Sequence, residues 1–326
     1  MSPFDKNLIL QYCEKKKGAF IMNLQEKMEG YLEYCIYRKE LDVKTVKAYR
    51  IDLNQFFSFT CCDEPEKETI ERYITDLHKK YKQKTVKRKI ASVKAFYSYL
   101  EEEEVLKQNP FRKIKVKFKE TIVLPRIIPR EEIEQLLNYM YAYLNDLSGI
   151  GYKHGLRDAA VVELFFATGA RVYEISNIRS ESINLNSGLI RIMGKGGKER
   201  YIQISNEAVL EILRKYYAEN EKDIKKSGYF FVNNRGNRYT EQSIRLMLKK
   251  YTKKARIETK ITPHMFRHSF ATYLIEEGVD VSCVQQILGH SSIKTTQIYI
   301  HVAAKKQADI LRELHPRNNM KIVNVA

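Results

Sequence analysis

Hydrophobic residues recur every three or four positions between Leu24 and Leu106, which is the spacing of one face of an α-helix. Four stretches show the pattern most clearly: Leu24–Cys35, Val46–Phe57, Thr69–Leu77 and Thr85–Leu100. A proline follows Asn109, and proline cannot continue a helix because it lacks the backbone N–H. The pattern therefore predicts a compact bundle of about four helices that ends at Asn109-Pro110.

The residues that follow the bundle alternate between basic and apolar side chains. Residues 111–119 carry five positive charges in this alternation, which is typical of an extended segment. Pro129 is followed by Arg-Glu-Glu, and acidic residues in a first turn favour a helix N-terminus there. We therefore expect a linker between two domains, with the second domain beginning near Pro125 and Pro129.

The second domain is mostly helical in pattern but contains one clear β-hairpin signal. Leu189–Met193 and Arg200–Ile204 alternate apolar and polar residues, and the Gly-rich segment Gly194–Lys198 separates them. Phe230–Val232, followed by the turn-forming residues Asn233–Asn237, indicates one more short strand and turn. The predicted fold class is therefore mainly α, in two domains, with a small antiparallel β-sheet in the second.

Composition and charge favour a globular protein that binds a polyanion. The chain has 326 residues, enough for two domains with separate cores, and 44% of them are hydrophobic. Its formal net charge is +17, of which residues 1–120 carry +7 and the remainder +10. Two basic halves suit a two-part clamp around a nucleic acid. The alternative is a basic protein whose charge serves only solubility.

Cysteine usage and hydropathy set the expected compartment. The five cysteines are an odd number without metal-ligand spacing, so they predict neither a disulfide framework nor a zinc site. The most apolar stretch, Ala159–Ala170, is short and carries Glu163, and the N-terminus lacks a signal-peptide core. We therefore expect a cytoplasmic protein. Met22 precedes the first predicted domain and is an alternative start to Met1.

Two arginines, two histidines and a late tyrosine are the most informative residues in the chain. Arg171 ends an Ala-Thr-Gly-Ala-Arg motif, His264 and Arg267 share a His-Met-Phe-Arg motif, and Tyr299 follows the His290 of Leu-Gly-His by nine residues. Arginines neutralise phosphate oxygens, histidines donate hydrogen bonds or transfer protons, and a phenol can act as nucleophile. Together these residue types match the breaking and rejoining of a phosphodiester.

On these motifs the chain resembles the tyrosine recombinases, the phage-integrase and Xer-like family of site-specific DNA recombinases. The resemblance extends from about Asn23 to the C-terminus. The six catalytic positions that it implies are Arg171, Lys195, His264, Arg267, His290 and Tyr299.

The resemblance also implies a role for each group. Tyr299 would form a 3′-phosphotyrosyl bond, Lys195 in the hairpin turn would protonate the leaving 5′-oxygen, and Glu174 would support the site by orienting its groups. The arginines and the lysine supply the charge that a metal supplies elsewhere, so we expect no metal and no cofactor. Taken alone, Arg171 could instead form a surface ion pair with Glu174, and Lys195 could be a solvated turn residue.

The implied fold is mainly α, with a SAM-like helical core-binding bundle followed by an α-rich catalytic domain that holds the small sheet. The expected boundaries are an N-terminal extension at 1–21, the core-binding domain at 22–115, a basic linker at 116–122 and the catalytic domain at 123–326. The last of these includes a C-terminal segment that docks on a neighbouring protomer. Four protomers would assemble on two DNA sites with inverted half-sites, with or without a partner recombinase or accessory factor.

Basic residues on the predicted helices are candidates for gripping DNA. Eight Lys or Arg and no acidic residue lie between His78 and Leu100, where acidic residues would normally intermix on a solvated face. The candidate DNA-binding residues are Lys44, Lys47, Arg50, Lys84, Lys87, Arg88, Lys89, Lys198 and Arg200. Contacts of this kind mainly fix register on phosphates. The alternative is a basic face that is merely solvated.

The expected activity is site-specific recombination through a Holliday junction, in chromosome-dimer resolution or in mobile-element integration or excision. One alternative is a type IB topoisomerase, which uses the same chemistry without synapsis. The basic bundle and the apolar positions Ile310, Leu311 and Leu314 of a C-terminal docking helix argue against it. The other alternative is a catalytically inactive DNA-binding regulator, and the six filled catalytic positions argue against that.

Overall fold

A computed structural model describes residues 20–60, 65–116, 118, 126–194 and 197–289 of the chain. The chain divides into two compact units between Thr121 and Ile122. Within the described ranges both units are mainly helical, and a three-stranded antiparallel sheet lies in the second. The predicted fold class is confirmed. None of the helices in these ranges has the length and apolar character that crossing a membrane requires.

The first unit is a bundle whose described helices contain all four of the predicted amphipathic stretches. They are α1 (Phe20–Tyr37), α2 (Val43–Thr60), α3 (Lys67–Lys80) and α4 (Gln83–Glu102). Asn109 lies after the last helix, as predicted, and is buried. Its side-chain amide donates a hydrogen bond to Ser98 Oγ and accepts one from the backbone N–H of Phe111. Asn109 therefore connects α4 to the segment that follows it.

Aromatic side chains dominate the core of this bundle. Phe56 of α2 is fully buried, and its ring centroid lies 4.9 Å from that of Tyr73, 5.9 Å from that of Tyr97 and 5.7 Å from that of Phe111. Edge-to-face and tilted packing of this kind stabilises aromatic pairs beyond the apolar area that they bury. The cluster joins α2, α3 and α4 to the segment that follows them.

A buried carboxylate is the polar exception in this core. Asp52 of α2 is fully buried and accepts hydrogen bonds from Lys89 Nζ at 2.9 Å, from Ser92 Oγ at 3.0 Å and from Arg88 Nη1. The Lys89 side chain also donates to Gln55 Oε1 at 2.6 Å and is only 5% exposed. Lys89 therefore does not lie on the exposed basic face that was predicted for it, because its charge compensates Asp52.

Arg50 also has an acidic partner within the first unit. Its guanidinium forms a bidentate ion pair with the Glu29 carboxylate of α1, with Nη2 at 2.7 Å from Oε2. Both side chains are exposed. The predicted DNA-binding residues Lys44, Lys47, Lys84 and Lys87 are all exposed on α2 and α4. The exposed part of the predicted basic surface is therefore formed mainly by lysines.

We predict that Asp52→Asn lowers the free energy of unfolding by about 3 kcal/mol, since it leaves the Lys89 ammonium buried without its counter-charge. Urea denaturation followed by circular dichroism measures the effect. The matched control is Asp76→Asn, which removes an ion pair with Lys80 that is partly exposed to solvent and should cost less than about 1 kcal/mol. Equal losses in the two variants would contradict a special role for the buried cluster.

The second unit surrounds a central buried helix. Its described helices are α5 (Arg130–Asn145), α6 (Gly149–Thr168), α7 (Val172–Ser176), α8 (Glu207–Ser227), α9 (Glu241–Lys254), α10 (Pro263–Glu276) and α11 (Val281–Leu288). Helix α5 begins directly after Pro129 with acidic residues in its first turn, as predicted. Helix α6 is buried at every position from Gly155 to Phe165, and most of these residues are apolar. Its buried charges have partners, since Arg157 pairs with Asp158 and Glu163 accepts a hydrogen bond from Tyr141.

The predicted hairpin is present and belongs to a sheet of order β1-β2-β3. The strands are β1 (Ile183–Asn184), β2 (Leu189–Met193) and β3 (Glu199–Gln203). Strand β1 was not predicted because two residues are too short to show an alternating pattern. Phe230–Val232 does not join the sheet, and this part of the chain forms isolated bridges in which Tyr229 pairs with Arg179 and Val232 with Arg238.

Candidate active site

Arg171 lies in a tight turn between two helices. Helix α6 ends at Thr168, its C-cap Gly169 has a left-handed φ of +57°, and Arg171 then occupies the N-cap position of α7. A Cβ atom at position 169 would lie 2.6 Å from Phe270 Cδ1 and 2.7 Å from Leu288 Cδ2. Glycine is therefore required here for both its backbone conformation and its size.

Glu174 holds Arg171 by both its backbone and its side chain. The backbone N–H of Arg171 donates to Glu174 Oε2 at 2.8 Å, and its guanidinium Nη1 donates to Oε1 at 2.8 Å. The Arg171 side chain is 38% exposed, whereas that of Glu174 is only 1% exposed. The ion pair with Glu174, which is the alternative interpretation of Arg171, is therefore present, and it leaves part of the Arg171 side chain exposed.

The same carboxylate binds a second arginine. Arg200 of β3 donates from Nη1 to Glu174 Oε1 at 3.1 Å and from Nη2 to Oε2 at 2.7 Å. Arg200 was predicted to contact DNA, but its side chain is only 10% exposed and faces inward to this ion pair. Lys198, its neighbour in the hairpin, is exposed.

Arg267 connects the ends of two helices. It lies on α10, three residues after His264, and its side chain is buried. Its Nη1 donates to the carbonyl oxygen of Gly169 at 2.9 Å, and its Nη2 donates to that of Leu288 at 2.6 Å. Both carbonyls lie at helix C-termini, where a positive charge is favourable. Arg267 thereby brings the turn before Arg171 close to the end of α11.

His264 lies in the first turn of α10, directly after Pro263. Thr262 occupies the predicted N-cap position, although its side chain makes no capping hydrogen bond within the described residues. Desolvation lowers the pKa of the His264 imidazole, and the positive charges of Arg245, Arg267 and Arg171 lower it further. The ring is therefore neutral at neutral pH, with one nitrogen able to donate and the other able to accept.

Three of the predicted catalytic residues, Lys195, His290 and Tyr299, lie outside the described residues. Those that are described, Arg171, His264 and Arg267, are brought together with Glu174 by contacts between α7, α10 and the end of α6.

Sequence reasoning missed Arg245, whose charge acts on the ring of His264. Its guanidinium donates to Glu241 at 3.0 Å, one turn earlier on α9. No local motif marks Arg245, because α9 approaches α10 only through the tertiary fold.

Two family models match the chain. The model of the phage integrase family matches residues 126–306, and the model of the phage integrase N-terminal SAM-like domain matches residues 28–104. A tyrosine recombinase of Agathobacter rectalis is 46% identical over 301 residues, which cover 91% of this chain and 98% of that protein. The chain belongs to the tyrosine recombinases.

Other relatives place this recombinase among Xer-like proteins. It is 34% identical over 306 residues to the tyrosine recombinase XerD of Listeria innocua, covering 90% of this chain and 100% of that protein. The solved XerH recombinase bound to palindromic difH substrate, a post-cleavage complex, has a TM-score of 0.70 at 21% identity, covering 86% of this chain and 83% of that one. This structural likeness shows the same fold.

Family membership establishes the class of activity. The protein is a site-specific recombinase, an enzyme that transfers DNA strands. These relatives give no support to a topoisomerase or to an inactive regulator.

We predict that Arg245→Gln raises the pKa of His264, because one of the positive charges that lower it is removed. Titration of the ring signals by NMR measures this directly. The matched control, Lys222→Gln, removes an exposed charge on α8 and should leave the titration unchanged. A His264 pKa at or above its ordinary value of 6.5 in the parental protein would contradict the lowering by desolvation and by these arginines.

Proposed function

We propose that this recombinase cleaves duplex DNA with Tyr299 as the nucleophile and exchanges strands through a 3′-phosphotyrosyl intermediate and a Holliday junction. The observation that carries the proposal is that Arg171 and Arg267 are held by buried contacts to Glu174, Gly169 and Leu288, and that both their charges act on the His264 ring. Two guanidinium groups held in this way near an imidazole suit a site that must bind a phosphate and stabilise the charge that develops on it.

Arg171 is suited to bind the scissile phosphate. Glu174 engages its backbone and one edge of its guanidinium, so the side chain is aimed before DNA arrives. A guanidinium carries five N–H donors in a planar fork, so its other edge can still bind two phosphate oxygens at once. Preorganisation of this kind lowers the cost of reaching the transition state because little rearrangement is needed.

Arg267 and His264 would act on the same phosphate in different ways. The Arg267 charge lies in a buried environment, where electrostatic stabilisation is stronger than in water. His264 is neutral at neutral pH, so it can donate a hydrogen bond to a phosphate oxygen or accept a proton. Neither role needs a metal ion or another cofactor in the proposed chemistry.

The remaining catalytic assignments rest on sequence position. Lys195 falls between β2 and β3, and we propose that it protonates the leaving 5′-oxygen. His290 directly follows Gly289, which ends α11 with a left-handed φ of +62°. Tyr299 follows nine residues later in the register of the family motif. The positive charges of Arg171 and Arg267 would help its phenol to ionise, since an unperturbed phenol has a pKa near ~10.

The exposed lysines of the first unit are the proposed DNA-backbone contacts. Lys44 and Lys47 on α2 and Lys84 and Lys87 on α4 are exposed. The Arg88 guanidinium remains 45% exposed although it also pairs with Asp52. In the second unit the exposed Lys198 is the candidate from the hairpin. Contacts of this type neutralise phosphates and make binding depend on salt.

We further propose that the working assembly is a homotetramer on two DNA sites, each with inverted half-sites. The C-terminal segment around residues 304–314 would dock on a neighbouring protomer through Ile310, Leu311 and Leu314, which share one helical face in sequence. Solved relatives bound to DNA, such as XerH on its difH substrate, support DNA as the partner. Because the substrate is cellular DNA, we propose that the enzyme acts in the cytoplasm.

We predict that Tyr299→Phe abolishes covalent attachment to DNA while leaving site binding nearly intact, since only the nucleophilic oxygen is lost. A nicked suicide substrate traps the adduct for electrophoresis, and a mobility-shift titration measures binding. A parental level of adduct in the variant would overturn the assignment. Equal relaxation of supercoiled plasmids with and without the recombination site would instead favour a topoisomerase.

We predict that Arg171 acts in DNA cleavage and Lys87 in DNA binding. Arg171→Ala should slow cleavage of bound DNA roughly a hundredfold or more, because transition-state charge stabilisation is lost. Lys87→Ala should instead weaken binding and reduce the slope of log affinity against log salt by about one unit. Measuring both quantities on both variants tests these separate roles.

The control for this pair is Lys67→Ala. Lys67 is an exposed lysine of the first unit whose ammonium already pairs with Glu71. Both its cleavage rate and its salt slope should be parental. Loss of cleavage in Lys87→Ala with DNA binding unchanged would show that these separate roles for Arg171 and Lys87 are wrong.

A further inference from the structure

Among the described arginines of the hairpin, Arg200 is the one whose side chain faces the protein interior. The alternation of β3 places Arg200 on the same face as Ile202, which is buried, and places Tyr201 on the opposite face, where it is 61% exposed. A guanidinium on the inner face of a sheet must find acceptors inside the protein. The position of Arg200 is therefore set by strand geometry and a buried partner, as Lys89 is in the first unit.

The partner is the carboxylate that also holds Arg171. Glu174 Oε1 accepts from Nη1 of both arginines, and Oε2 accepts from Arg200 Nη2 and from the Arg171 backbone N–H. A carboxylate offers about four lone-pair positions, and these four hydrogen bonds use them. With Arg200 in place, the carboxylate has little freedom to rotate away from Arg171.

The stem of Arg200 lies beside a third part of the site. A Cβ atom added to Gly289 would lie 3.2 Å from Arg200 Cδ and 3.5 Å from its Nη1. Gly289 ends α11 and immediately precedes His290 in the chain. Arg200 itself follows the hairpin connection that contains Lys195. One side chain thus binds the carboxylate that holds Arg171 and lies beside Gly289, the residue before His290 in the chain. Its strand begins four residues after Lys195 in the sequence.

We propose that Arg200 is a positioning residue for DNA cleavage, which fixes the Glu174 carboxylate and, through it, the Arg171 guanidinium. This inference rests on the proposed role of Arg171 at the scissile phosphate. It replaces the expectation that Arg200 contacts the DNA backbone, since both Nη atoms donate to Glu174 and the side chain is nine-tenths buried. Arg200 does not touch the reacting atoms in this proposal.

A pH dependence follows from the environment of Glu174. Burial by itself would raise the pKa of this carboxyl group, but Arg200 and then Arg171 lower it overall. These two arginines are the charged groups that face the carboxylate from β3 and from its own helix within the described residues. If Arg200 is replaced by a neutral residue, its lowering effect on the Glu174 pKa is lost, and burial then raises this pKa relative to that in the parental enzyme. The carboxylate would then take up a proton at a higher pH than in the parental enzyme.

The test is single-turnover cleavage of a nicked suicide substrate at saturating DNA, measured across pH for Arg200→Gln and Arg200→Lys. Arg200→Gln should cleave about a hundredfold more slowly, the size of loss that misplacement of a catalytic group produces, and should recover part of the rate as pH rises. Arg200→Lys keeps the charge without the bidentate geometry, so its cleavage rate should lie between those of Arg200→Gln and the parental enzyme. DNA affinity and its salt slope should stay parental in both.

The matched control is Arg191→Gln. Arg191 lies on the adjacent strand, directly opposite Tyr201, and among the described residues its ion pair is with Glu199 at 3.9 Å. It has the same charge but faces outward, so its cleavage rate should be parental at every pH. Thermal unfolding by circular dichroism verifies that each variant is folded. If Arg200→Gln does not fold, the same measurements on Arg200→Lys decide the question.

Three outcomes would overturn the proposal. The first is a parental cleavage rate in the Arg200 variants on saturating DNA. The second is weaker binding with a salt slope reduced by about one unit, which would mark Arg200 as a phosphate contact. The third is a slow rate that is independent of pH and not improved in Arg200→Lys, which would mark a purely structural role. A parental enzyme that forms no Tyr299 adduct would instead overturn the proposed function itself.

Discussion

The buried Glu174 carboxylate is the interaction on which the arrangement of the site depends. Taking a carboxylate out of water costs several kcal/mol unless its acceptor positions are filled by good partners. Here Arg171 and Arg200 fill them from two elements that are distant in sequence. The start of α7 and the strand β3 are therefore held in one geometry by one charged group and its hydrogen-bond donors.

Helix ends supply the second constraint. Helices α6 and α11 both end in a glycine with left-handed φ, at Gly169 and Gly289. Such ends expose carbonyl oxygens, and Arg267 binds one from each helix. The partial negative charge of two helix C-termini stabilises the buried guanidinium. The same turns lead directly into Arg171 and His290 in the chain. The packing of these helix ends therefore also determines where the residues that follow them begin.

Much of this structure was predictable from local patterns. The period of the apolar residues predicted the bundle helices, the alternating runs predicted the hairpin, and the motifs predicted Arg171, His264 and Arg267. The inward orientation of Arg200 was also present in the pattern, since it shares a period of two with Ile202. Likewise, Lys89 lies three residues after the buried Val86 and four before the buried Val93, on the apolar face of α4.

What local patterns do not contain is the identity of distant partners. Asp52 pairs with Lys89 across 37 positions, Glu174 with Arg200 across 26, and Arg267 reaches Gly169 across 98. Such pairs form only when tertiary packing brings the elements together. The same limit applies to Arg245, whose effect on His264 depends on how α9 meets α10.

Each unit uses the same device, and it explains why charge counting alone misassigns residues in so basic a chain. Asp52 binds Arg88 and Lys89 in the first unit, and Glu174 binds Arg171 and Arg200 in the second. Two cations on one carboxylate leave a net positive charge whose position is fixed by the buried partner. The cationic side chains are therefore already oriented when a phosphate binds, and no reorientation is needed. In a chain of net charge +17, the cations anchored by buried carboxylates can direct chemistry, while the exposed lysines provide attraction that salt can screen.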